Sequence, residues 1–308
     1  MFYFGGGYPA RRYLTMCVMA TVALSGISAC TSTPSKDKET VVTGRTTMLV
    51  DETFEPIIED QLAVFESSYK HVDITLVNAP ENRIFYMLLS DSARVAITSR
   101  QLSEEETNFF KSKSIIPKTR KFATDAIALI THKSNPDTVI SVEEIIHILK
   151  GSSDGSKALV FDNPNSSTVR YLQELADVDS LPKEGIYSLR SNSDVIEYVY
   201  NNPKSIGVIG LNWMAQPSPA LAPLVQDLVA IRVKLKSSEQ EAYKPTQSNL
   251  ALGLYPLARD LYLIDCQGTY GLGLGFSAFL AGELGQRLIL KSGLLPDSIP
   301  TRELIIRN

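Results

Sequence analysis

The chain has 308 residues, 44% of them hydrophobic and 21% charged, and carries a formal net charge of −4. That composition holds enough apolar material for a large core, and the length suggests about two domains. The balance is acidic and no Lys/Arg-rich block interrupts it, which excludes nucleic acid as an expected partner.

The first element in chain order is a leader. Arg11 and Arg12 precede the apolar run "YLTMCVMATVALSGISA". A charged n-region followed by an h-region shorter than a comfortable membrane span predicts a signal peptide over residues 1–29. Its end, Ile27-Ser28-Ala29-Cys30, resembles the lipobox of bacterial lipoproteins, in which the cysteine receives lipid and becomes the mature N-terminus. Lipidation is therefore expected at Cys30, with residues 30–44 as a polar tether that starts "CTSTPSKDKET". Removing residues 1–29 takes away two arginines and no acids. The expectation is an acidic, extracytoplasmic body held beside a bacterial membrane by its N-terminal lipid. Cys17 lies in the leader and Cys30 at its end, so Cys266 stands alone in the body and no intrachain disulfide is expected.

Downstream, short β-branched runs alternate with helical spacing. "VDITLV" (72–77), "RVAITS" (94–99), "DAIALIT" (125–131), "KALVFD" (157–162), "SIGVIGL" (205–211), "DLVAIRV" (227–233) and "DLYLID" (260–265) read as strands. Residues 55–70 place Ile58, Leu62, Phe65 and Tyr69 on one helical face, with Pro56 where a first turn tolerates it. Ser103 with Glu106 and Ser141 with Glu144 form capping boxes, and Gly151 stops the helix that ends "IIHILKG". The Pro-rich "MAQPSPALAP" (214–223) reads as a surface loop, and "GTYGLGLGF" (268–276) as a close-packed turn into the last long helix. This alternation predicts an α/β fold with mixed, mostly parallel sheets, flanked by helices because near-continuous apolar strands need cover on both faces.

Three turns present groups suited to an anion. Thr53 and Phe54 stand immediately before a helix; Ser166, Ser167 and Thr168 open another; the run "VAIT" ends in Ser99 and Arg100. Hydroxyls beside the free N–H groups of a helix start favour negative charge, and Arg engages oxyanions through several donors at once. The stretches "TFEPI", "ITSRQLSEEE", "FATDAIALITHKSNP", "EEIIHILKG", "SSTVRYL", "VIEYVYNNPKSIGVIG", "YPLARDLYLI" and "GFSAFLAGELGQRLILKSGLLP" follow one another in a fixed order. In them the chain resembles the phosphate-binding lipoproteins of ABC transporters, a branch of the type II periplasmic binding proteins, from about residue 45 to 308.

The resemblance implies two lobes, residues 45–130 with 255–308 and residues 131–254, with a ligand cleft between them. It implies closure by a hinge, inorganic phosphate or a related tetrahedral oxyanion as ligand, an ABC transporter permease as partner, and neither cofactor nor metal. By motif it places Thr53 and Phe54 at a first contact, Ser99 and Arg100 at a second, and Ser166, Ser167 and Thr168 at a contact from the other lobe, with Arg100 as a charged wall. The family's well-studied members have Asp where this chain has Arg100, an Arg before a Ser-Gly-Thr triplet where it has Asp162 and Ser167, and a Gly-Ser turn where it has "NAPENR". Monohydrogen phosphate offers a donor and sulfate does not, so a carboxylate in the site selects phosphate; Asp125 and Asp162 are the candidates for reading that proton. The alternatives are an oxyanion-sensing or scaffold lipoprotein of the same fold, and a secreted hydrolase. The hydrolase lacks its residues: there is no G-x-S-x-G elbow, no H-E-x-x-H and no Cys-His pairing, and His71, His132 and His147 are scattered singly, so no enzyme is expected.

Overall fold

The computed structural model describes residues 1–3, 39–152 and 157–298, so the expected leader, Cys30 and most of the tether lie outside the described residues. The chain divides into two units, Met1–Lys38 and Glu39–Asn308, and the second carries every helix and strand among the described residues.

Strand β1 (Gly44–Asp51) sends Met48 and Val50 into one apolar cluster and Leu49 into another, as the two-residue period of a strand requires. A 3₁₀ turn (Glu52–Phe54) leads into α1 (Glu55–Ser68), followed by β2 (Val72–Ala79), α2 (Glu81–Leu89), β3 (Val95–Thr98) and α3 (Glu104–Ser112). The chain then enters the 15-residue β4 (Lys118–His132). Beyond it come β5 (Val139–Ser141), α4 (Val142–Leu149), β6 (Leu159–Phe161), α5 (Ser167–Ala176), β7 (Ile186–Ser188), α6 (Asn192–Asn201) and β8 (Ile206–Gly210). The short α7 (Asn212–Ala215) and α8 (Ala222–Val225) bracket the Pro-rich segment and precede β9 (Leu228–Ala230) and β10 (Arg232–Lys234). Finally α9 (Gln247–Ala251), β11 (Ala258–Asp265), α10 (Leu272–Ala281), α11 (Glu283–Lys291) and β12 (Leu295–Pro296) complete the described chain.

The main sheet runs β2-β1-β3-β11-β4-β8-β6-β7, with β9 and β12 also on β4. Within each half the strands are parallel, β1 with β2 and β3, and β6 with β7 and β8. At the centre they are antiparallel, because β11 pairs with both β3 and β4, and β4 with β8. The expectation of parallel pairing thus holds inside each half, where helices make the crossovers. It gives way where β4 and β11 run between the halves in opposite directions. One apolar cluster fills the half built on β6 and β8, and two others lie on opposite faces of the half built on β1 and β3.

Both predicted capping boxes form: Ser103 N–H donates to Glu106 at 2.8 Å, Ser141 N–H to Glu144 at 2.8 Å, and each serine oxygen accepts the reciprocal bond. Gly151 takes the left-handed conformation at φ +68° just past α4. "DLVAIRV" splits at Ile231 into β9 and β10. Cys266 is buried and free. Among the described residues no helix is long and apolar enough to cross a membrane.

The glycine-rich "GTYGLGLGF" does enter α10 as a close-packed turn. A Cβ on Gly275 would lie 1.7 Å from the Val41 carbonyl oxygen, so only glycine lets that backbone cross the helix. Gly275→Ala is expected to destabilise the chain by about 1–3 kcal/mol and lower the thermal midpoint by several degrees, read by circular dichroism. An unchanged midpoint would show that the Val41 segment is free to leave α10.

Candidate functional site

The cross-strand register of β4 and β11 sets Arg259 directly opposite Asp125. Each residue shares parity with inward apolar neighbours, Leu261 and Leu263 for the arginine and Ile127 and Leu129 for the aspartate, so both charges point into the protein. They pair there: Arg259 Nε and Nη2 donate to Asp125 Oδ2 at 3.1 and 3.0 Å, with both side chains almost fully buried. Nη1 of the same guanidinium donates to Ser167 Oγ at 3.0 Å and Thr168 Oγ1 at 3.3 Å, and its carbon lies 4.8 Å from the centre of the Phe54 ring.

The helix start that supplies those hydroxyls is fixed by Asp162. Ser166 caps α5, its oxygen accepting from Val169 N–H at 3.3 Å while its hydroxyl donates to Asp162 Oδ1 at 2.7 Å. Asn192, at the start of α6, donates to Asp162 Oδ2 at 3.1 Å. Both oxygens of Asp162 are therefore occupied in holding the turn.

The opposing turn comes from the end of β1. Asp51 Oδ1 accepts from Thr53 N–H at 2.9 Å, and the Thr53 carbonyl accepts from Asn212 Nδ2 at 3.0 Å and Trp213 Nε1 at 2.9 Å, tying the two halves together. Gly210 closes the back of this space: a Cβ there would lie 2.6 Å from Asn212 Oδ1 and 2.9 Å from Thr53 Cγ2. Asp51 Oδ2, Thr53 Oγ1, Asp125 Oδ1 and Asn212 Oδ1 are all buried without a hydrogen-bond partner. Three of these are acceptors and the Thr53 hydroxyl can also donate, so hydrogen-bond capacity of both kinds is left over around one arginine.

Thr53, Phe54, Asp125, Ser167 and Thr168 are thus gathered around Arg259, and Ser166 and Asp162 stand immediately behind them. Ser99 and Arg100 are not part of that group. Arg100 gives its guanidinium to Glu106, at 2.8 and 2.9 Å, and to the Gln101 carbonyl, and it stacks on Phe85 at 3.3 Å. Glu106, already fixed by its capping box, thus holds the Arg100 guanidinium, and the cation of the buried group is Arg259. Ser99 meets Glu81 and Arg170 instead. Arg259, Asp51, Glu81, Arg170 and Gly210 were not singled out from the sequence; the inward parity of Arg259 and Asp125 was the available signal for the first.

Acids outnumber bases here. Burial, then the charge of Glu81, pushes Asp51 up to about 6, and burial, then Asp162 and Asp51, pushes Glu52 up to about 7. Burial also raises Asp125 and Asp162, partly opposed by Arg259. Among the described residues no group of three or more His, Cys, Asp or Glu is placed to hold a metal ion.

A family model described as a PBP superfamily domain matches residues 32–283. The chain is 22% identical to the phosphate-binding protein PstS of Pseudomonas aeruginosa, over 92% of this chain and 93% of that relative. Its fold is similar to a protein assigned as a phosphate ABC transporter substrate-binding protein, with bound phosphate, from Clostridium perfringens. The TM-score is 0.67 and the identity 19%, covering 83% of this chain and all of the other. An ABC-type phosphate transport receptor from Vibrio cholerae gives a TM-score of 0.62 at 20% identity, covering 82% of this chain and all of the other.

The raised carboxyls make stability depend on pH with a definite sign. Asp51 and Glu52 hold protons in the folded chain at pH values where the unfolded chain has released them. Their contribution is complete below the unfolded values of 3.8 and 4.5 and is lost as pH rises through about 6 and about 7. From these two groups the thermal midpoint is expected to fall between about pH 4 and about pH 7, and Asp51→Asn should flatten the part of that fall below about pH 6. A midpoint in Asp51→Asn that keeps the full slope would remove Asp51 as its source.

Proposed function

We propose that this chain, which belongs to the PBP superfamily, is an extracytoplasmic solute-binding protein that takes inorganic phosphate or a related tetrahedral oxyanion between its two halves and presents it to an ABC transporter permease. The observation that carries the reading is the buried Arg259 guanidinium joined to the Ser167 and Thr168 hydroxyls at a helix start, with Thr53 facing them from the other half. Guanidinium, hydroxyl and helix N-terminus are the donor types that an oxyanion needs, and in a site closed to water each charge-assisted bond is stronger than at the surface. The names of the Pseudomonas aeruginosa, Clostridium perfringens and Vibrio cholerae proteins support phosphate as the ligand class.

In this reading Arg259 supplies the charge that the sequence assigned to Arg100. Ser167 and Thr168 turn their hydroxyl protons toward the anion while their oxygens accept from Arg259. The unpartnered Oδ1 of Asp125 and Oδ2 of Asp51 are the atoms available to accept a proton-bearing oxygen of the ligand, and they disfavour sulfate, which has only acceptors to offer. Asp162, with both oxygens occupied, positions the serine turn and reads no proton. The charged leader and Cys30 support lipid attachment beside the membrane.

Thermal unfolding of the full chain with phosphate, sulfate, molybdate or buffer alone tests the reading. Phosphate at about a hundred times its dissociation constant should add ~2.7 kcal/mol, a shift of several degrees. The shift should be smaller with sulfate and absent in the Ser167→Ala/Thr168→Ala double variant. A midpoint that no oxyanion moves would end the oxyanion reading.

A further inference from the structure

Glu81 opens α2 directly after Pro80, a place where a glutamate ordinarily sits in water and gains a little from the helix dipole. Here it is 2% exposed. A carboxylate that deep needs donors, and these reach it from both halves of the protein. Ser99 N–H and the Ser99 hydroxyl donate to Oε1 at 3.2 and 3.0 Å. From the other half, Arg170 Nε donates to Oε2, and Arg170 Nη2 lies 3.5 Å from Oε1 and 2.9 Å from the Ser99 oxygen.

A backbone N–H, a hydroxyl and an arginine fork are the groups with which proteins hold free oxyanions. The donors gathered around Glu81 therefore form an anion site whose occupant is part of the chain. Arg170 stands three residues after Ser167 on α5, so the residue that grips Glu81 and the residue that grips Arg259 share one face of one helix. Glu174, one turn further on, accepts from Arg170 Nη1 at 2.8 and 2.9 Å and keeps the fork aimed across the cleft. Beside the carboxylate lies a cavity of ≈ 250 Å³ with walls from both halves, Asn82, Phe85 and Arg100 on one side and Pro164, Asn165 and Gln173 on the other. It gives the Glu81 side chain room to swing out while α2 stays in place.

We propose that Glu81 is a resident anion of the cleft: its carboxylate latches the two halves together through Ser99 and Arg170, and an oxyanion reaches the Arg259, Ser167 and Thr168 donors only once that latch opens. The bridge from Glu81 to Arg170 and Ser99 is read from the geometry alone, whereas its link to ligand entry rests on the oxyanion reading above. In the ligand-free chain Glu81 then sets how weakly the site binds, since part of every ligand's binding free energy goes into breaking a closed state that already exists.

The test uses the full chain and the Glu81→Gln variant. Hydrogen exchange followed by mass spectrometry, without phosphate, should show faster exchange in Glu81→Gln across the β1–α1 turn and the start of α5, because the bridge between the halves is weakened. Calorimetric titration with inorganic phosphate should show about a tenfold tighter dissociation constant in Glu81→Gln. Glu59→Gln, which removes an exposed acid on α1, should change neither reading. If Glu81→Gln does not fold, Arg170→Gln breaks the same bridge from the other side and is read by exchange. Unchanged exchange in the ligand-free variant overturns the proposal, as does an unchanged or weaker phosphate constant in a chain that binds phosphate. Faster exchange with no phosphate binding in any chain upholds closure on Glu81 and counts against the oxyanion reading, so the two failures are told apart.

Discussion

The buried pair of Asp125 and Arg259 is the interaction around which the rest of the molecule is arranged. Two charges are taken out of water on neighbouring strands, which is tolerable only with close geometry and with the remaining hydrogen-bond capacity filled. The register of β4 and β11 supplies the geometry by placing the residues opposite each other. Ser167 and Thr168 fill the capacity of the Arg259 fork from α5 in the other half of the sheet, while Asp125 keeps one oxygen without a partner. The pair therefore ties strand register to the position of a helix. A one-residue slip of β11 would turn Arg259 to the opposite face and leave Asp125 buried alone. The register shift between Leu261 and Tyr262 comes two residues beyond Arg259, so the irregularity in the strand leaves Arg259 and Asp125 opposite each other.

From that arrangement comes an unusual balance of charge. Asp51, Asp125 and Asp162 lie within electrostatic reach of one guanidinium, and Asp51 also feels Glu81. A site meant for a fully ionised dianion would carry more cation than this. Burial raises all three carboxyls while Arg259 works against the shift, so the guanidinium is what keeps this much acid tolerable in the interior. The unpartnered oxygens of Asp51 and Asp125 leave hydrogen-bond capacity beside that guanidinium, and under the proposed oxyanion reading this capacity, which charge alone cannot confer, separates a protonated ligand from sulfate.

Much of the scaffold is legible in the sequence because it is local. Capping boxes are settled by residues three apart, and the apolar strands of the interior by β-branched runs. The exceptions have physical causes. The apolar part of β1 is only Met48, Leu49 and Val50, too short a run to stand out, yet it sits in the middle of three parallel strands. The first part of β4 carries Lys118, Arg120 and Lys121 and reads as loop, although β11 pairs along it. In the site, Ser167 and Thr168 were visible as a helix start, whereas Arg100 attracted attention because it ends a strand. Its capture by Glu106 depends on a capping box whose glutamate has an oxygen to spare, and no pattern of spacing announces that. Arg259 sits inside "YPLARDLYLI" beside Asp260, which reads as a solvated patch until strand parity is applied to it and to Asp125 together.

What parity cannot reach is the contact between distant turns. Glu81 and Arg170 are 89 residues apart, one in each half of the sheet, and meet only after β4 has carried the chain from the first half to the second. Such a contact has a different energetic character from the Asp125–Arg259 pair. The latter is enclosed by strands and must persist whenever the sheet is intact, while the former joins two helix starts across a gap, beside a cavity into which one partner can move. Were the halves to part about the central strands, as the proposed function requires, both kinds would serve. The fixed pair would keep a cation in place whether or not the halves parted, and the other would be the one to break, with the difference between them set by where each side chain is rooted and not by how many hydrogen bonds it makes.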